Sequence, residues 1–203
     1  MTYGGIILDF GGVVTTDLVG ELSAFCIREG LPPDAAARVI RDTPEGREAL
    51  AAVEFGLISQ REYEVTVGRL LGVDDRGLLI RALEGLRPRI EVLDLVQRIR
   101  NASIRVALLS NSWGEGEYDP YRGYDLGGMF DAVVISGHVG LRKPDPAIYL
   151  MAAAKIDVQP NACVFVDDTA SNLPVAKDLG MAVVHFTETA SGIAEIERLL
   201  GLT

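Results

Sequence analysis

Five consecutive residues near the start, Gly4-Gly5-Ile6-Ile7-Leu8, carry no polar side chain, and the run stops at Asp9. A strand covered by helices on both faces reads this way, whereas a half-exposed strand would alternate apolar and polar. Short, mainly apolar runs recur at 104–109, 132–135, 162–166 and 182–186. Between and after them, apolar residues spaced by three and four predict helices over 91–100, 146–155, near 173–179 and over 191–200. Strands alternating with helices predict an α/β protein with a parallel, doubly wound sheet and right-handed crossovers. Residues 17–89 break this rhythm, because no strand signal occurs in them. Leu18, Leu22, Phe25 and Cys26 fall at helical spacing, Pro32-Pro33-Asp34 opens a second amphipathic run, and the run ending at Phe55 stops at Gly56. Ser59 followed by Glu62 is the pattern of a capping box. A helical module inserted after the first strand is therefore expected, and a long Gly-, Tyr- and Asp-rich loop over 113–128.

Composition narrows the class. A chain of 203 residues can bury one core and a small second module. Its 29 acidic residues against 19 basic ones, a net charge of −10, argue against a nucleic-acid or anionic membrane surface, since both need clustered Lys and Arg. No apolar stretch reaches the roughly 18 residues of a membrane span, and no basic lead marks a signal peptide, so a cytoplasmic protein is expected. Cys26 and Cys163 lie in apolar contexts and are expected as buried free thiols. His138 is expected to be solvated and His185, inside the last strand, to belong to the core. Trp113, Tyr118, Tyr121 and Tyr124, interleaved with acids, are expected to pack the loop.

In a parallel sheet every strand ends on the same edge, where such folds bind ligands, so the residues that follow the strands meet in space. Asp9 follows the first, ahead of Gly11-Gly12, where the backbone turns tightly and approaches a ligand unobstructed. The second ends in Leu109-Ser110-Asn111, which on its own reads equally well as a structural turn. Before the helix at 146, the proline-stiffened turn Arg142-Lys143-Pro144-Asp145 fixes a cation, either Lys143 or Arg142. The fourth ends in Val166-Asp167-Asp168. Two adjacent carboxylates on a buried edge repel unless a cation compensates them, and hard oxygen donors suit Mg²⁺. The competing reading makes Asp168 the N-cap of a helix at 169–172.

In this order and spacing, Leu8-Asp9-Phe10-Gly11-Gly12-Val13, Leu109-Ser110-Asn111, Arg142-Lys143-Pro144-Asp145 and Phe165-Val166-Asp167-Asp168, with Asn172 after it, resemble the four motifs of the haloacid dehalogenase (HAD) superfamily of phosphatases and related hydrolases. Residues 135–144 are similar to the branch containing the amino-terminal phosphatase-like domain of soluble epoxide hydrolases. The resemblance covers nearly the whole chain. It implies a Rossmann-like three-layer parallel sheet built from residues 1–16 and 90–203, with strand order different from sequence order. Residues 17–89 would be a small helical cap that closes over the site. Asp9 would be the nucleophile, forming an aspartyl-phosphate from a small phosphorylated metabolite. Ser110 and the backbone amide of Asn111 would hold the phosphoryl oxygens and Lys143 would stabilise charge. The implied cofactor, Mg²⁺, would be held by Asp9, the main-chain carbonyl of Gly11 and Asp168, with Asp167 helping directly or through water.

One departure bears on activity. Phosphatases of this family usually carry a second Asp two residues after the nucleophile, as the acid that protonates the leaving oxygen, and here that position is Gly11. General acid–base help is worth about 10²–10⁴-fold. Four explanations stay open: a leaving group that needs no proton, as in acyl phosphates; a substitute acid from the cap or Asp17; a non-catalytic phosphate-binding homologue; or a haloacid dehalogenase, whose halide leaves unprotonated. Such dehalogenases usually have an aromatic residue there and need no metal, so the Asp167-Asp168 pair favours phosphate chemistry.

Overall fold

The computed structural model describes residues 3–114 and 116–202. Strands β1 (Gly5–Leu8), β2 (Arg105–Ser110), β3 (Ala132–Ile135), β4 (Cys163–Asp167) and β5 (Ala182–His185) form one parallel sheet in the order β3-β2-β1-β4-β5. The helices are α1 (Leu18–Arg28), α2 (Ala35–Asp42), α3 (Pro44–Glu54), α4 (Gln60–Leu71), α5 (Leu78–Ala82), α6 (Ile90–Asn101), α7 (Leu126–Met129), α8 (Ser136–Val139), α9 (Pro146–Lys155), α10 (Leu173–Asp178) and α11 (Thr189–Leu200). The chain runs outward from β1 to β3, then returns to β4 on the other side of β1. Strand order reverses beside β1, and that is where a crevice opens at the carboxyl edge of such sheets.

Every residue of β1 is buried, as its unbroken apolar run requires. Successive side chains point to opposite faces. Ile6 and Leu8 join Val106, Leu108, Val164 and Val166 under α6 and α11, while Ile7 joins Ala107, Leu109 and Phe165 under α9 and α10. The fold is thus three layers, with helices on both faces of the sheet.

Helices α1 to α5 gather round an apolar cluster of their own that includes Phe25, Val53, Tyr63, Val67 and Leu79. At the start of α1, Asp17 accepts from the N–H groups of Val19 and Gly20, each at 2.9 Å. At the start of α4, Ser59 Oγ accepts from Glu62 N at 3.2 Å and Glu62 accepts from Ser59 N at 2.8 Å, completing the capping box. The two chain segments joining this cluster to the sheet run side by side. Thr16 N donates to Arg87 O at 2.8 Å and Arg89 N to Val14 O at 2.9 Å, and Thr15 bridges to Pro88.

The structure corrects some expectations. His185 is exposed, because alternation along β5 turns Val184 and Phe186 inward and His185 out, with its Nε2 2.9 Å from the carbonyl oxygen of Asp168. The loop over 113–128 ends in a helical turn, α7, whose cap is Asp125 accepting from Gly128 N at 3.0 Å. His138 is exposed as expected, but within α8. Cys26 and Cys163 are buried free thiols. Among the described residues no helix is long and apolar enough to cross a membrane.

Candidate active site

The sheet holds Asp9 by its backbone, since Asp9 N donates to Val166 O of β4 at 2.9 Å. The residue is 8% exposed, and Oδ1 accepts from Phe10 N at 2.7 Å. The chain then winds through a wide helical turn, residues Phe10–Val14, in which Gly11 is extended (φ −66°, ψ 131°) and Gly12 left-handed (φ 74°). Gly12 is required twice over, by that φ and because a Cβ would collide with the Asp168 carboxylate. Gly11 is not required sterically, since a Cβ there would meet Leu18 Cδ2 no closer than 3.9 Å. The missing side chain at Gly11 is therefore a difference of chemistry, not of space. Asp17, the suggested substitute acid, has both carboxylate oxygens engaged in capping α1.

Lys143 answers the question its turn left open. It is 2% exposed, with Nζ 2.8 Å from Asp9 Oδ1 and 2.6 Å from Asp167 Oδ2. The Asn111 side chain clamps its backbone: Lys143 N donates to Oδ1 at 2.8 Å and Asn111 Nδ2 donates to Lys143 O at 3.0 Å. Arg142 turns the other way, to the end of α3, with Nη2 2.7 Å from Glu54 Oε2 and its guanidinium 5.8 Å over the Phe55 ring. Ser110 closes β2 beside this turn and is buried.

The two adjacent carboxylates have different surroundings. Asp167 is fully buried; Oδ1 accepts from Thr169 N at 2.8 Å and Asn172 Nδ2 at 3.1 Å, and Oδ2 accepts from Lys143 Nζ and from Asn172 Nδ2 at 3.0 Å. Asp168 is half-buried and, among the described residues, its carboxylate accepts only from the Thr169 hydroxyl, at 3.1 Å, and caps no helix. Asp9, Asp167 and Asp168 each offer an oxygen within 4.8 Å of the other two.

These placements set the charge balance. Burial pushes the Asp9 carboxyl up to about 7; Lys143 opposes this, and Asp167 and Asp168 add to it. Asp168 is raised by burial and then by Asp167. Burial works against the Lys143 ammonium, but Asp9 and Asp167 outweigh it and hold the group more firmly protonated than an ordinary lysine. Three carboxylates facing one ammonium leave the site short of positive charge, which a divalent cation with oxygen ligands would supply. The donor set and the raised carboxyls of Asp9 and Asp168 fit Mg²⁺. Asp167, with both oxygens bonded, fits a supporting place behind it.

Two neighbours of the site carried no usable signal in the sequence. Glu54 reads as one charge on a mixed helix surface, yet it is buried against Arg142. Tyr121 reads as loop packing, yet its ring lies on that of Phe10, with centroids 4.7 Å apart.

A helical insertion after the first strand and a lysine bonded to two aspartates at the sheet's carboxyl edge describe a class of α/β hydrolase. Residues 3–180 match the family model of the haloacid dehalogenase-like hydrolases, and the chain belongs to that family. It is 39% identical over 77 residues to bifunctional epoxide hydrolase 2 of Rattus norvegicus, covering 38% of this chain but only 14% of that protein. It is 31% identical over 188 residues to D-ribitol-5-phosphate phosphatase of Bacteroides thetaiotaomicron, covering 86% of this chain and 87% of that one. A HAD family enzyme of Bacteroides thetaiotaomicron, solved with magnesium and inorganic phosphate, shares the fold with a TM-score of 0.65 at 22% identity over 93% of this chain and 96% of its own. Within this family the chain is similar to the epoxide hydrolase branch and to phosphatases, and it spans less than a quarter of the length of the epoxide hydrolases it matches.

Proposed function

We propose that the protein is a Mg²⁺-dependent phosphatase of a small phosphorylated metabolite, acting through an aspartyl-phosphate on Asp9. The observation that carries this reading is Lys143, buried and bonded at once to Asp9 and Asp167, with Asp168 beside them. A carboxylate pair of this kind favours metal-dependent phosphate chemistry over metal-free carbon–halogen cleavage. Relatives named as phosphatases, and a neighbour crystallised with magnesium and phosphate, support the same chemistry.

In the first half-reaction the Asp9 carboxylate attacks phosphorus as the bond to the leaving oxygen breaks; in the second, water displaces Asp9. Ser110 and the Asn111 main-chain amide hold the phosphoryl oxygens. Lys143 keeps Asp9 ionised and meets the charge that builds in the transition state. Asp9, the Gly11 carbonyl and Asp168 would hold Mg²⁺, with Asp167 behind them, and the ion would neutralise phosphoryl charge there. The core, residues 1–16 and 90–203, carries these groups, and residues 17–89 act as a cap that shuts out bulk water. With Gly11 in place of an acid, the best substrates are those whose leaving group departs without a proton, such as acyl phosphates. The same glycine supports a second reading, a homologue that binds phosphate without turnover.

Phosphate release from acyl phosphates, sugar phosphates and p-nitrophenyl phosphate, with Mg²⁺ and with chelator, tests the proposal. We expect metal-dependent turnover that Asp9→Asn abolishes, fastest on acyl phosphates. Turnover that survives in Asp9→Asn would remove the proposed nucleophile. Activity appearing only in Gly11→Asp would favour the binding homologue, and halide release from haloacids a dehalogenase.

A further inference from the structure

Asp168 lies outside both elements that flank it. β4 ends at Asp167, whose carbonyl accepts from Phe186 N at 3.0 Å, and the next helical turn begins at Ala170. Thr187 N, the following donor after β5, turns back to His185 O at 3.1 Å and does not extend the ladder. Past that last rung, the Asp168 carbonyl is met by a side chain, His185, with Nε2 at 2.9 Å. A carbonyl oxygen only accepts, so Nε2 carries the proton and donates. His185 reaches it because the register of β4 and β5 sets it opposite Asp167 and the strand's alternation turns it out of the core.

The bond gains its meaning from the carboxylate that Asp168 carries. Asp167 needs no such help, because Thr169, Asn172 and Lys143 hold its carboxylate directly. The Asp168 carboxylate has only the Thr169 hydroxyl among the described residues, and it rests against Gly12, where a Cβ would collide with it. The turn that carries Gly12 is braced separately, by Arg89, whose Nε donates to Thr15 O at 2.9 Å and whose Nη2 lies 3.5 Å from Gly12 O. One side of the candidate metal site is therefore fixed without His185, and the other depends on how the Asp168 main chain is held. Taking the Mg²⁺-dependent reading as its premise, we propose that His185 is a positioning residue for the metal site: by holding the Asp168 carbonyl it fixes the main chain that aims the Asp168 carboxylate at the ion. It touches neither the ion nor the substrate. Supporting bonds of this kind orient ligands and set how tightly a metal binds.

His185→Phe keeps a ring at this exposed position and removes the donor, whereas His185→Gln puts an amide N–H close to where Nε2 was. Calorimetric affinity of the metal-free protein for Mg²⁺ is expected to fall about tenfold in His185→Phe, the lower end of what loss of a supporting bond costs a metal site, and to recover in His185→Gln. Tm in chelator should stay close to wild type in both, because an exposed bond adds little to the fold. In turnover of an acyl phosphate the loss should show as a higher Mg²⁺ concentration for half-maximal rate, not as a lower kcat at saturating Mg²⁺. Equal Mg²⁺ affinity in His185→Phe and wild type would overturn the inference, as would a loss that His185→Gln does not restore or one accompanied by a lower Tm in chelator. A wild type that binds Mg²⁺ but turns over no phosphate defeats the phosphatase reading alone, and the calorimetric comparison then decides the role of His185 by itself. A wild type that binds no Mg²⁺ defeats both.

Discussion

A carboxylate proposed to attack phosphorus near neutral pH is poorly housed in a buried pocket with two others unless a cation joins them. Asp9 shows the tension, being raised from 3.8 to about 7 by burial above all. Between those values the folded, metal-free chain keeps a proton that the unfolded chain has lost. Stability therefore falls as pH rises through this window, by at most about 1.4 kcal/mol per pH unit. In chelator at pH 8, Asp9→Asn should melt at a higher temperature than wild type, and the gap should close toward pH 4. Added Mg²⁺ should raise the wild-type Tm and leave Asp9→Asn nearly unchanged. A wild type more stable than Asp9→Asn at pH 8 in chelator would mean that Lys143 already compensates the charge. Asp9, Ser110 and Asp168 stand out in the sequence because each is a polar group at or near the end of an apolar run, and Lys143 because a proline-stiffened turn holds it. The choice of Lys143 over Arg142 does not, since one turn presents both and only the opposing partners, Asp9 for one and Glu54 for the other, separate them.

At the scale of elements, the contact between α3 and the turn before α9 joins the helices inserted after β1 to the sheet and its covering helices. Glu54, the last residue of α3, is raised by burial and lowered less by Arg142, its ion-pair partner. Just beyond, Gly56 in left-handed conformation packs so closely on the Gly137 carbonyl that no Cβ fits. Arg142→Gln should strand the Glu54 carboxylate and lower stability by about 1–3 kcal/mol, read from the urea midpoint. Glu54→Gln/Arg142→Gln should be less damaging than the two single losses added together. Strict additivity would show that the pair is not coupled. Element boundaries were readable where a local device marks them. The Ser59/Glu62 capping box opens α4, and Asp145 before Pro146 opens α9, its carboxylate accepting from Ala147 N at 2.8 Å. The four-residue helix α8 was not readable, because it is too short to show a period. β2 and β4 each run one residue past their apolar stretch, to Ser110 and Asp167, which pair with Ile135 and His185. Function placed polar residues where the ladder continues and the hydrophobic pattern stops.

For the whole molecule, the alternation of strands and helices was enough to predict a parallel sheet with helices on both faces, and hence a shared edge for the motif residues. Alternation does not encode strand order. That strand order departs from sequence order was implied only by the resemblance to a known family; the placement of β4 beside β1, which brings Asp167 and Asp168 to Asp9, is seen in the pairing of Leu8 with Val166. The return of Tyr121 from a loop without periodicity to the end of β1 is a long-range packing event that no local pattern records. Together these placements put the proposed nucleophile, a lysine and a metal-suited acid pair at one point. The most direct test of that account is to incubate the protein with an acyl phosphate and Mg²⁺, quench in acid, and map the modified peptide by mass spectrometry. One phosphoryl group on Asp9, absent with chelator and absent from Asp9→Asn, is the predicted result. Phosphate release with no modified Asp9 at any quench time, or a carbon-linked adduct on Asp9 formed from a haloacid without metal, would contradict it.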